Sequence, residues 1–470
     1  MIFWLDIKKR SVYLRAQKYD LTNGNILSKL LLVAVPIMGA QLLQMSYNLM
    51  DMFWLGQLPK GADAVAAAGS AGMFMWLGVA LMLVGRMGSE IGVSQSLGKG
   101  DQDEAKRYAQ ISVILAAVLG ILYGIVQFFF APWLISFFQI REVNVAADAA
   151  AYLSIVGIAT PLMYVGSAIA GTFNGSGNSR LSFIGISISL ILNMILTPVF
   201  VHVLDRGVTG AAESTVIAQA VYLVTMIYLL KFHKDRPFDK IKLFVKPKIA
   251  VVKQIFKWCL PVSAESMFFT ILSMLITRLV TPFGSDALAV LRVGGQIESL
   301  QWLIAGGFGS AITAFTGQNY GAKKWARIHR GRKISFLAMT VYGVFVTFVL
   351  FFFSYQLIGI FLHEEPVILM GVAYLQILAM CQLAGCLEGV SAGILRGMGK
   401  TLPPSIISIS VNAARVPLSY ILTLTPLGLN GIWVGITIGA AVRGILMVIW
   451  CQIDARKRPK TDEADLLAQA

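Results

Sequence analysis

The chain is dominated by a succession of apolar segments, each long enough to cross a lipid bilayer. A spanning helix needs about 20 mainly apolar residues. Segments of that kind fall at 27–52, 67–94, 108–137, 149–172, 183–204, 210–231, 255–281, 288–316, 334–361, 369–393, 403–425 and 430–452. Inside lipid the backbone polar groups must be satisfied within the segment, so these runs predict helices and not isolated strands. Only 13% of the residues are charged, about half the share found in ordinary soluble domains. The fold class expected is an all-α membrane protein with twelve transmembrane helices.

The loops between these segments fix the orientation. The net charge of +15 could mark a nucleic-acid surface, but the basic residues are not spread like one. They collect at the N-terminus (Lys8, Lys9, Arg10, Arg15, Lys18), in the second loop (Lys99, Lys106, Arg107) and in the fourth (Arg180). They collect again in the sixth loop (Lys234, Arg236, Lys240, Lys242), the eighth (Lys323, Lys324, Arg327, Arg330), the tenth (Arg396, Lys400) and the C-terminal tail (Arg456, Lys457, Arg458). The alternate loops hold only Lys60, Arg141 and Arg206. Positive residues stay on the cytoplasmic side. Both termini are therefore expected in the cytoplasm, and the chain in the plasma (inner) membrane as a multi-pass protein. No nucleic-acid partner is expected, and the lipid bilayer is.

The chain also repeats itself. Pro36 corresponds to Pro261, Asp63 to Asp286, and Gln95-x-x-Gly98 to Gln318-x-x-Gly321. Tyr152 corresponds to Tyr374, Gly175-x-Gly177 to Gly397-x-Gly399, and Gly207-x-x-Gly210 to Gly428-x-x-Gly431. The offset stays between 221 and 225, and it carries six spans. An even number of spans inserts both halves with the same orientation, so a pseudo-two-fold axis along the membrane normal is expected between two six-helix lobes. The domains expected are a basic N-terminal segment 1–25, an N-lobe 26–231, a cytoplasmic linker 232–254, a C-lobe 255–452 and a tail 453–470.

Ionisable residues in mid-membrane are costly, about 2.5–3.5 kcal/mol on the lenient scale, and so they are informative. In the first span Gln41, Gln44, Asn48 and Asp51 share one helix face. Asp51 is the ionisable member, and a lone carboxylate among amides can hold a proton or a small cation. The seventh span carries a Ser/Thr face beside Glu265; small hydroxyl residues also serve as packing glue. Glu388, Arg415 and Arg443 lie in the last three spans, where a structural ion pair or triad is as good a reading as a transport role. The four cysteines sit in apolar runs and read as small buried hydrophobes. No catalytic motif is present, so an enzyme is not expected. No metal site or resident cofactor is expected either.

Several of these features together resemble the multidrug and toxic compound extrusion (MATE) family, in its prokaryotic, DinF-like branch. They are the two six-helix lobes, Pro36 followed by Asp51 in the first span, Asn193 ahead of Pro198 in the fifth, and the Gly207–Gln219 run opening the sixth. The resemblance implies a secondary active antiporter. It would export organic cations or other amphipathic compounds on an inward proton or sodium gradient, by alternating access. It also implies a cation or proton-coupling site of Asp51, Asn193 and Thr215. A family carboxylate in the fifth span falls here at Thr197, which removes negative charge that a dehydrated sodium ion needs. Gln41, Gln44, Asn48, Glu265 and Glu388 are candidates for a substrate or second coupling site. The partner expected is a small amphipathic or cationic molecule, and the chain is expected to be a monomer. A flippase for lipid-linked precursors and an ion channel are the alternative readings.

Overall fold

The computed structural model describes residues 19–140, 142–239, 241–242 and 245–462. The basic lead-in up to residue 18 and the tail from 463 lie outside them. Twelve long helices dominate the described residues: α1 (Ile26–Gly56), α2 (Gly61–Gly98), α3 (Gln102–Phe129), α4 (Val143–Gly175), α5 (Ser179–Pro198), α6 (Gly207–Lys231), α7 (Ile249–Val280), α8 (Ser285–Gly321), α9 (Trp325–Phe352), α10 (Glu365–Gly397), α11 (Leu402–Thr423) and α12 (Leu429–Arg456). Eleven are long and apolar enough to span a membrane by composition alone. The other, α8, has 37 residues but is interrupted by Arg292, Gln296, Glu298 and Gln301. Large side chains such as Phe129, Trp133, Phe345 and Met380 stay exposed, as a lipid-facing surface requires.

Two compact units form. The described residues of Met1–Asn23 and Val35–Ser263 make one, and those of Gly24–Ala34 and Ala264–Ala470 make the other. These units divide the chain within α1 and within α7, beside Pro36 and Pro261. A proline inside a helix removes one backbone hydrogen bond and bends the axis, so the two stretches of one helix can pack on different neighbours. The early part of α7 accordingly belongs to the first unit. There Ile255 and Cys259 are fully buried, and Trp258 stacks on Tyr108 of α3 with ring centroids 5.5 Å apart.

The packing inside each unit repeats at the same offset. In the first unit α4 packs on α2, α3 and α6; in the second, α10 packs on α8, α9 and α12. The glycine motifs explain why. A Cβ on Gly171 or Gly175 of α4 would lie 2.2 Å from the Arg86 carbonyl oxygen or 2.5 Å from that of Glu90. A Cβ on Gly393 or Gly397 of α10 would lie 2.5 Å from the carbonyl oxygens of Gly309 or Thr313. Small residues four apart let two backbones touch, which is the main way helices associate in lipid. Just beyond each helix end, Gly177 (φ +83°) and Gly399 (φ +75°) take the left-handed conformation. They let Asn178 and Lys400 donate back to Phe173 and Leu395 at 2.9 and 2.8 Å, closing the helix.

Gly171→Ala is expected to lower the melting temperature of the purified protein, because overpacking against backbone costs about 1–3 kcal/mol. Gly69→Ala, whose Cβ would meet nothing within 4 Å, is expected to be neutral or slightly stabilising. Thermal unfolding followed by size-exclusion recovery compares the two. Equal melting temperatures would remove the close-packing account.

Candidate functional site

In the first unit, three helices bring polar side chains to one buried point. On α5, Ser182, Ser189, Asn193 and Thr197 fall on the buried face. Asn193 and Thr197 are one turn apart, so their side chains meet. Thr197 is wholly buried, and its hydroxyl lies 3.0 Å from Asp51 Oδ1 of α1, 2.8 Å from Asn193 Oδ1 and 3.1 Å from Ser214 Oγ of α6. Asn193 Nδ2 donates to Thr215 Oγ1 at 3.3 Å. Thr215 also meets the Tyr47 hydroxyl at 3.4 Å and donates to the Ala211 carbonyl at 2.9 Å. Asp51 is itself buried, with 9% of its surface exposed.

The hydrogen inventory of this network is unusual. A hydroxyl donates once. With the Asn193 nitrogen turned to Thr215, its oxygen faces Thr197, and so does the Asp51 carboxylate. One Thr197 proton cannot serve two proton-free oxygens. A positive charge placed here, as a proton on Asp51 or a small cation, relieves the conflict. A proton on Asp51 could donate to Thr197, which would then donate to Asn193.

Asp51, Asn193, Thr197 and Thr215 are thus brought together as the sequence reading grouped them. Thr197, standing where the resemblance implies a carboxylate, is a direct partner of Asp51. The rest of the α1 stripe does not join them. Gln44 and Asn48 are exposed and hydrogen-bond each other at 3.4 Å, while Gln41 is half-buried. Tyr47 and Ser214 were missed. Tyr47 sits one turn before Asp51, a spacing that could have flagged it, and Ser214 adjoins Thr215. Tyr152 of α4, the repeat partner of Tyr374, also approaches Thr215. The residues that follow on α1 and those at the end of α5 line an open surface groove of about 550 Å³, with Trp54, Gln57, Pro198 and His202 among its walls.

The second unit holds a different polar centre. Glu388 of α10 accepts from Arg443 Nε of α12 at 2.8 Å. Arg443 also donates to Asn412 of α11 at 3.3 Å and lies over the Trp302 ring, 5.4 Å from its centroid. Glu298 of α8 accepts from Trp302 and Gln382 at 3.3 and 3.4 Å. Arg415 is 9% exposed, and it does not enter the Glu388–Arg443 pair. Glu265 of α7 accepts from Arg396 and from the Ser405 hydroxyl at 3.2 and 2.9 Å. Both candidate carboxylates of this unit are therefore held by arginines. Asn412 and Gln382 were missed; their placement on the buried faces of α11 and α10 depends on packing, not on any local motif.

A family model described as MatE matches this chain twice, over residues 36–199 and 261–421. Each match opens at one of the two repeat prolines. The probable multidrug resistance protein NorM of Thermotoga maritima is 25% identical over 431 residues, covering 90% of this chain and 92% of that protein. The probable multidrug resistance protein YpnP of Bacillus subtilis is 28% identical over 421 residues, covering 89% and 93%. The crystal structure of MATE in complex with MaD3S shares the fold, with a TM-score of 0.85 at 22% identity over 93% of this chain and 98% of that one. A MOP superfamily transporter from Pyrococcus furiosus does so with a TM-score of 0.84 at 23% identity over 93% and 98%. With both halves matched by one model and the same helix packing in each, the chain belongs to the MatE family.

Proposed function

We propose that this chain is a secondary active antiporter that exports organic cations or other amphipathic compounds by alternating access of its two lobes. The observation that carries the reading is the buried Asp51–Thr197–Asn193 network, in which a single hydroxyl proton faces the oxygens of both Asp51 and Asn193. The relatives named as multidrug resistance proteins support the substrate class. The alternating basic loops support a plasma-membrane protein with both termini in the cytoplasm.

The coupling ion in this reading is the proton. A dehydrated sodium ion needs several oxygen ligands and enough negative charge to replace its hydration. With Thr197 in place of a second carboxylate, the network offers one carboxylate and neutral oxygens. A proton needs only the one. Protonation neutralises Asp51, removes its attraction for a cationic substrate and so favours release on the side where protons enter.

Proteoliposomes loaded with a fluorescent organic cation test this. A pH gradient alone is expected to drive efflux, and a sodium gradient alone is not. Thr197→Asp is expected to add a sodium-dependent component, because it doubles the local carboxylate charge. Efflux by the natural chain on sodium alone would refute proton coupling, and no efflux on either gradient would refute the antiporter.

A further inference from the structure

We propose that Arg415 is the centre of an anion-recognition site in the second unit, which takes the carboxylate or phosphate-like group of an amphipathic molecule.

Arg443 is fully used: it binds Glu388 and Asn412 and stacks over Trp302. Glu298 is held by Trp302 and Gln382. Arg415, more than nine-tenths buried, has no comparable partner. No carboxylate of the described residues lies within 4.0 Å of it, and its Nε is buried without a hydrogen bond. Glu298 acts on it only through space. Its one assigned contact of charge is with the face of Phe269, 5.9 Å from the ring centroid.

A guanidinium cannot shed its proton, and the terminal nitrogens of Arg415, unlike its Nε, are not sealed off, so they are open to an incoming anion. The side chain is also not free to leave. Its aliphatic stem packs against α12 at Gly439, where an added Cβ would sit 3.2 Å from three of its carbons. A second orphan lies on the same face of α11: the Ser408 hydroxyl is buried without a partner. Asn412 stands between the two. A fixed guanidinium fork beside an aromatic face is the pairing that recognises an oxyanion joined to an apolar body. The Asp51 network, by contrast, is built to take positive charge. Two units with opposite electrostatic needs would let one protein handle zwitterions and anions as well as cations.

The word substrate here rests on the antiporter reading, but binding does not, so the test is made without a gradient. Binding of dansyl-phenylalanine, a carboxylate, is compared with that of dansylcadaverine, an amine with the same fluorophore, on the full chain in phosphatidylcholine nanodiscs. The natural chain is expected to bind both. Arg415→Gln is expected to weaken the carboxylate at least about tenfold and the amine less than about twofold. If Arg415→Gln does not fold, Arg415→Lys is read on the same two probes and is expected to weaken only the carboxylate, because it keeps the charge and loses the fork. Competition by added phosphatidylglycerol would identify a lipid headgroup as the anion, and its absence a soluble amphipath. No saturable carboxylate binding by the natural chain, or equal losses for both probes in the variant, would overturn the site. A failure of gradient-driven efflux with the probe selectivity intact would overturn the antiporter reading alone.

Discussion

Asp51→Asn abolishes gradient-driven efflux and flattens the pH dependence of substrate binding: this is the expected result with the largest effect on function. Asparagine has nearly the same shape as aspartic acid, and its amide can donate to Thr197 as a protonated carboxyl would. The buried network with Thr197, Asn193 and Ser214 therefore survives, and the fold with it. What is lost is the exchange of one proton. In the natural chain the affinity for an organic cation should rise as pH rises, because the ionised Asp51 attracts it and the protonated one does not. In Asp51→Asn the affinity should stay at the weak, acid-like value throughout. A difference of about tenfold corresponds to about 1.4 kcal/mol, which a proton-linked carboxylate supplies readily. Equilibrium binding of a fluorescent cation across the pH range, beside efflux from proteoliposomes, measures both. A variant that still pumps on a pH gradient would rule out Asp51 as the coupling group.

The largest effect on stability is expected at the Glu388–Arg443 pair. Both side chains are buried and hydrogen-bonded at 2.8 Å. Removing one partner of such a pair strands a charge and costs about 3–5 kcal/mol, whereas replacing both by apolar groups of similar volume is often neutral. Glu388→Leu should be the worse single change, because Arg443 keeps its charge at every pH. Arg443→Met should cost less in acid and more as pH rises, because the stranded carboxyl can take up a proton. The double variant Glu388→Leu/Arg443→Met should unfold close to the natural chain. Unfolding by denaturing detergent at two pH values resolves all three. Strictly additive single effects would show that the pair does not act as one unit.

The sequence by itself determined the class, the repeat and half of the polar chemistry. Twelve long apolar runs leave no choice but helices, because lipid satisfies no backbone group. The six motif pairs at one offset announced two similar halves, and the structure gives their reason in backbone contact at Gly171 and Gly393 and in left-handed turns at Gly177 and Gly399. Thr197 was legible only through the family resemblance, which implies a carboxylate at its position in the fifth span.

What only the tertiary structure decided was which helix faces meet. The α1 stripe looked uniform along the chain, yet Asp51 joins α5 and α6 while Gln44 and Asn48 pair with each other on an exposed face. Periodicity places residues on a face but does not name the neighbour. Pairing is equally silent in the sequence. Glu388, Arg415 and Arg443 read as an unassigned pair or triad and Glu265 as a neighbour of the Ser/Thr face, and packing alone gave Glu265 to Arg396, gave Glu388 to Arg443 and left Arg415 without a carboxylate. The same limit explains the unit boundary. Pro36 and Pro261 predict bends, but where each stretch of a bent helix comes to rest is set by contacts hundreds of residues away along the chain, which no local pattern encodes.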